Sequence, residues 1–123
     1  MKTYSHTRPE TIQKVGDGSH YYNYGIKEVP QEPEEEGVTP ASLFEYESVR
    51  VFGELSHENI TKAVLRERRN EAEELDLVNR YNSYVLGISS NEQDQTGYKD
   101  YLQEIQDTRA MVLEDLEAQE ENE

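Results

Sequence analysis

Apolar and polar residues are spaced differently in the two halves of this 123-residue chain, and the spacing predicts a different element in each. From Thr11 to Val15 they alternate, then stop at Gly16-Asp17-Gly18, whose glycines tolerate the positive φ of a tight hairpin turn. After the turn, Tyr22, Tyr24 and Ile26 share one parity and Tyr21, Asn23, Gly25 and Lys27 the other, so a second strand runs to Val29 with tyrosines on both faces. Pro30, Pro33, Gly37 and Pro40 break the pattern, which predicts a surface loop over 30–41. A third strand follows from Leu43 to Phe52. Phe44 and Tyr46 have one parity there and Val49 and Val51 the other, so a bulge near Glu47 or Ser48 is expected to restore a single face.

From residue 56 onward the period lengthens. Ser56 is a good N-cap, and Ile60, Ala63 and Val64 lie on one side of a first helix that ends in the basic cluster Arg66, Arg68 and Arg69. Asn70 with Glu73 resembles a capping box and opens a second helix carrying Leu75, Val78, Tyr81 or Asn82, and Val85, with Gly87 placed to end it at C′. The last helix is expected from Asp94 to Glu117, burying Tyr98, Leu102, Ile105, Val112 and Leu116. A sheet with one apolar face needs a cover, so the fold expected is α+β. In it, a three-stranded antiparallel sheet (a hairpin plus a third strand) packs against about three helices. The domain expected is a single one over 1–118, with the β part at 10–55 and the helical part at 56–118, followed by an acidic disordered tail at 119–123.

Charge changes what such a domain can bind. Twelve Lys and Arg stand against twenty-seven Asp and Glu, a net charge of −15, which repels phosphate backbones and anionic lipid and argues against direct nucleic-acid or membrane partners. Residues 1–29 are nearly neutral, whereas 30–55 hold one base and seven acids and 56–123 hold seven bases and seventeen acids. The runs Glu32–Glu36 and Glu114–Glu123 dominate the imbalance and are expected to be mobile, by like-charge repulsion and for want of side chains to bury. There is no cysteine, so thiol catalysis and thiolate metal sites drop out, and a reducing compartment fits. The opening Met1–His6 lacks the apolar region of a signal peptide and no stretch has the length of a membrane span, so the location expected is cytoplasmic or virion-associated.

Catalytic chemistry finds little footing. His6, His20 and His57 are scattered without metal-ligand spacing. The glycines at 16 and 18 lack the rest of a phosphate-loop fingerprint, and no serine sits in a nucleophile elbow, so no catalytic residue, metal or cofactor is assigned. Tyrosine is the residue in excess, nine against two Phe and no Trp, and it serves half-buried core edges as well as binding surfaces. Tyr21, whose parity turns it from the face expected to meet the helices, is assigned to partner binding, with Tyr101 and Leu113 flanking the apolar stripe of the last helix. That stripe has near-heptad spacing and could serve a homo-oligomer.

The stretch Glu10–Gly18 with Tyr21–Val29, and the run Val49–Leu55 leading into Ile60–Arg66, resemble small bacteriophage and prophage proteins encoded among virion or tail-module genes. The resemblance implies a non-enzymatic role in virion or tail assembly, as a minor structural component or an assembly chaperone, with a virion or tail protein as partner. The alternative is an acidic nucleic-acid mimic that inhibits a host nuclease or DNA-binding protein, with Glu71, Glu73, Glu74 and Asp76 as its charged patch.

Overall fold

The computed structural model describes residues 1–31, 37 and 41–121 of the chain; the run 32–36 and the last two residues, expected to be mobile, lie outside them. The described elements are β1 (Lys2–Ser5), β2 (Ile12–Lys14), β3 (His20–Val29), β4 (Leu43–Val51), α1 (His57–Arg68), α2 (Glu71–Val85) and α3 (Glu92–Glu121). The class is α+β, and the chain divides into two compact units, one holding the strands and the other Ser56–Glu121.

The sheet has four strands, not three, in the order β1-β4-β3-β2, all neighbours antiparallel. The additional strand is β1. Its sequence Lys-Thr-Tyr-Ser offers no apolar alternation, and polar contacts hold it on the edge of β4 instead. The Met1 amino group donates to the Ser48 carbonyl at 2.9 Å, the Ser48 amide donates to Met1 O at 3.0 Å, and Lys2 Nζ stands 2.5 Å from Glu45. The bulge expected in β4 near Glu47 or Ser48 lies instead in β3, across from Glu45–Glu47: register shifts between Tyr24 and Lys27, where Gly25 takes φ of +62°. Glycine adopts that conformation without steric cost, so the extra residue goes there. β4 therefore alternates without interruption, and Phe44 and Tyr46 fall on the face opposite Val49 and Val51.

Tyr22, Tyr24, Val49 and Val51 are buried on one face, with Tyr22 and Tyr24 stacked at 5.0 Å between centroids. On the other face Asn23 is buried as well, its side-chain amide donating to the Glu10 carbonyl at 2.8 Å and its backbone amide to Thr11 O, which ties the segment before β2 to the sheet. The hairpin turn is fixed by Asp17: its carboxylate accepts from the Ser19 amide and hydroxyl and pairs with Arg50, which also donates to Ser19 Oγ at 3.0 Å.

In the helical unit both expected caps form. Ser56 Oγ accepts from the Asn59 amide at 3.1 Å and Asn70 Oδ1 from the Glu73 amide at 2.8 Å. α3 runs past its expected end, carrying the acidic run from Glu114 in helical form to Glu121, as Leu, Ala, Glu and Gln are all strong helix formers. α3 is also the spine of the unit, touching α1 and α2 in turn. Ile60, Thr61 and Val64 of α1 and Thr108 and Val112 of α3 are buried.

Candidate interaction surfaces

α1 presents Glu58, Thr61, Lys62, Leu65 and Arg66 at spacings of three and four, which is one helical face. α3 presents Tyr101, Ile105 and Arg109 at spacings of four. Between these faces, with Glu74 of α2 at one side, runs an open cleft of about 520 Å³. Leu65 and Ile105 give it apolar lining, and Arg66 donates to Glu74 at 3.2 Å. Burial pushes the Tyr101 phenol above its usual range, and the neighbouring Glu74 carboxylate, to which it is hydrogen-bonded, adds to the shift. Arg69 stands 5.5 Å from the centre of the Tyr101 ring and pairs with Glu104 at 2.7 Å, while Arg68 donates to Thr108 Oγ1 at 2.9 Å. The arginines that close α1 thus clamp it to both other helices. Lys62 and Arg109 line the cleft with no ion pair among the described residues. The groups assembled here, cations, carboxylates, a phenol and two aliphatic side chains, suit recognition of a polar surface with an apolar patch.

The second surface is the outside of the α2–α3 hairpin. No residue of α2 is fully buried. Tyr81 stacks on Tyr98 at 4.4 Å and Leu77 faces Gly97, which turns Leu77, Val78, Tyr81 and Tyr84 inward. The expected inner stripe is therefore rotated: Leu75 and Val85 are each 60% exposed, and Leu102 of α3, expected to be buried, is 43% exposed. Beyond α2, Leu86 and Ile88 are 74% and 78% exposed. They flank Gly87, whose φ of +78° completes a Schellman turn in which the Ile88 amide donates to Ser83 O at 2.9 Å and the Gly87 amide to Tyr84 O at 3.1 Å. Asn91 continues the restraint into α3, its side chain accepting from the Gln93 amide at 3.0 Å.

Of the residues assigned from sequence, Tyr101 lies in the cleft, half-buried. Leu113 is exposed on α3, about 18 Å further along the helix, and does not share that site. Tyr21 belongs to the sheet unit, half-buried opposite Gln13 and Arg50 on the face away from Tyr22. Lys62 and Arg109 escaped the sequence reading, and Arg66 was read there only as part of the basic end of α1, although the spacing of 58, 61, 62, 65 and 66 marks a single face. So did Leu86 and Ile88, for which apolar residues on both sides of a C′ glycine were the available signal.

Among the described residues no cluster of His, Asp and Glu could hold a metal ion, and no helix is long and apolar enough to cross a membrane. No family model, curated protein or solved structure matches the chain.

Proposed function

We propose that the chain is a non-enzymatic interaction protein whose helical unit docks a partner protein, and that the partner is a virion or tail component, as the resemblance to small phage proteins implies. The observation that carries this reading is the set of large aliphatic side chains left in solvent on α2 and its following turn: Leu75, Val85, Leu86 and Ile88. Single exposed apolar residues are ordinary, but a grouping of this kind along one helix and its cap is characteristic of docking surfaces. Nucleic-acid mimicry fits less well. Such a mimic needs a row of uncompensated carboxylates, whereas three of the four in its patch are paired: Glu74 and Glu71 stand 3.2 and 4.0 Å from Arg66, and Asp76 stands 2.9 Å from Arg80.

The test is affinity capture from phage-producing cells with the wild-type chain and with a Leu86→Asp/Ile88→Asp variant, each checked by size-exclusion light scattering. A virion or tail protein retained by the wild type and lost by the variant supports the reading. Equal capture by both, or capture of a host nuclease in place of a virion protein, overturns it.

A further inference from the structure

We infer that the partner surface docking on the α2–α3 hairpin is a basic segment with an apolar face; this rests on the interaction reading above and adds the chemistry of the occupant. Leu75 of α2 and Leu86, the residue that caps its C-terminal end, stand three helical turns apart on one face, with Asn79 and Asn82 between them and Glu71 one turn before Leu75. The two leucines therefore define a row in which only uncharged amides interrupt the apolar surface, with a carboxylate at its N-terminal end. Ile88 extends the apolar surface past the helix end.

The hairpin that carries this row is predominantly acidic. Residues 71–102 hold seven acids and two bases. Within that span Glu73, Glu92 and Asp100 have no ion pair among the described residues, whereas Asp94 is occupied by the Ser89 hydroxyl at 2.6 Å. A second copy of this chain would bring an equally acidic hairpin against it, and an acidic partner would meet the same repulsion. A basic partner meets complementary potential, which raises its rate of encounter and fixes its register. Apolar contact with Leu75, Leu86 and Ile88 would then hold it, and the turn is already ordered by its Schellman hydrogen bonds, so little conformational entropy is lost there on docking.

Charge attraction alone would also draw basic peptides to so acidic a chain, and the experiment separates the two. The probe is a synthetic amphipathic helix with leucines on one face and lysines on the other, titrated by fluorescence anisotropy at low and moderate salt. The comparison peptides replace its leucines by serine or its lysines by glutamate. The protein is the full chain and its Leu75→Asp/Leu86→Asp variant; both positions are exposed, and Ile88→Asp, in the turn, serves as an independent variant should helicity fall. The variant is two charges more negative, so attraction by charge alone predicts equal or tighter binding. Docking predicts weakening by about tenfold or more, in line with the burial of an aliphatic side chain. It also predicts no comparable binding of the serine and glutamate peptides, and weaker binding as salt rises.

Equal or tighter binding by the variant overturns the inference, as does equal binding of the glutamate peptide. If the leucine–lysine peptide fails while capture from cells still depends on Leu86 and Ile88, the basic-partner inference falls and the interaction reading stands. Capture independent of those residues removes both.

Discussion

The same substitution at two glycines of the α2–α3 hairpin is expected to have opposite effects. Gly97 lies inside α3, and a Cβ built there would meet Leu77 Cδ2 of α2 at 3.8 Å, an ordinary van der Waals contact. Replacing glycine by alanine in a helix interior gains about 1 kcal/mol from reduced backbone freedom in the unfolded chain. Partial burial of one methyl against Leu77 adds about 0.3 kcal/mol, less than half the value of a fully buried methylene. Gly97→Ala should therefore stabilise the helical unit by about 1.3 kcal/mol and raise its melting temperature by about 5–10 °C. Gly87 sits at φ of +78° in the Schellman turn, with nothing within 4 Å of where a Cβ would stand, so only backbone strain acts there. Gly87→Ala should cost about 1 kcal/mol. Thermal and urea unfolding followed by circular dichroism at the helical band reads both, since the chain has no tryptophan. Destabilisation by Gly97→Ala would mean that α2 and α3 approach more closely than the Leu77 contact allows, and stabilisation by Gly87→Ala would refute the left-handed cap.

Other consequences can be read from single residues. Tyr22 is fully buried and Tyr21 half-buried, so Tyr22→Ala should cost about 3–5 kcal/mol and Tyr21→Ala about 1 kcal/mol in urea unfolding. Asn23→Ala removes the donor to the Glu10 carbonyl and should cost about 1–3 kcal/mol, with faster amide exchange over the segment before β2 as its local signature. Hydrogen bonds from Ser19, with Arg50 adding to them, hold the Asp17 carboxyl below its usual range. A carboxyl depressed on folding contributes stability above its unfolded value and loses it as pH falls through the folded one, so Asp17→Asn should flatten the acid limb of the stability profile and leave the slope near neutrality unchanged.

What the sequence revealed follows from how each element is stabilised. The β2–β3 hairpin, both helix caps and the end of α2 were legible because each depends on local chemistry: Gly16 and Gly18 in the turn, Ser56 and Asn70 at the caps, and Gly87 at the helix end. β1 was not legible, because long-range main-chain bonds and the Lys2–Glu45 pair hold it, and these leave no periodic trace. The bulge was placed on the wrong strand for a related reason. Parity in β4 slips in a way that either a bulge or two differently used faces can explain, and Gly25, the residue that decides between them, lies in the partner strand. In α2, apolar residues sit all around the helix, so periodicity alone could not choose between the Leu75–Val85 face and the Leu77–Tyr81–Tyr84 face; the Tyr81–Tyr98 stack chooses. Of the three residues assigned to partner binding, only Tyr101 lines the cleft, since half-burial and flanking position are weak guides to where a groove opens.

The rotation of α2 has a dynamic consequence. An isolated helix of 15 residues is marginal in water and relies on burial of one face, yet α2 has no fully buried residue, whereas α1 and the second half of α3 hold all the buried positions of their unit. The amides of Leu75–Val85 should therefore exchange through local openings well before those around Ile60, Val64 and Val112, in a hydrogen-exchange experiment at neutral pH. Gly97→Ala, which adds contact only to Leu77, should slow exchange in α2 more than in α1. A docked basic helix should do the same, and more strongly, by covering Leu75 and Leu86. Protection in α2 equal to that in α1 would show that its inward residues hold it fully without help, and would remove the energetic reason for α2 to be the element a partner completes.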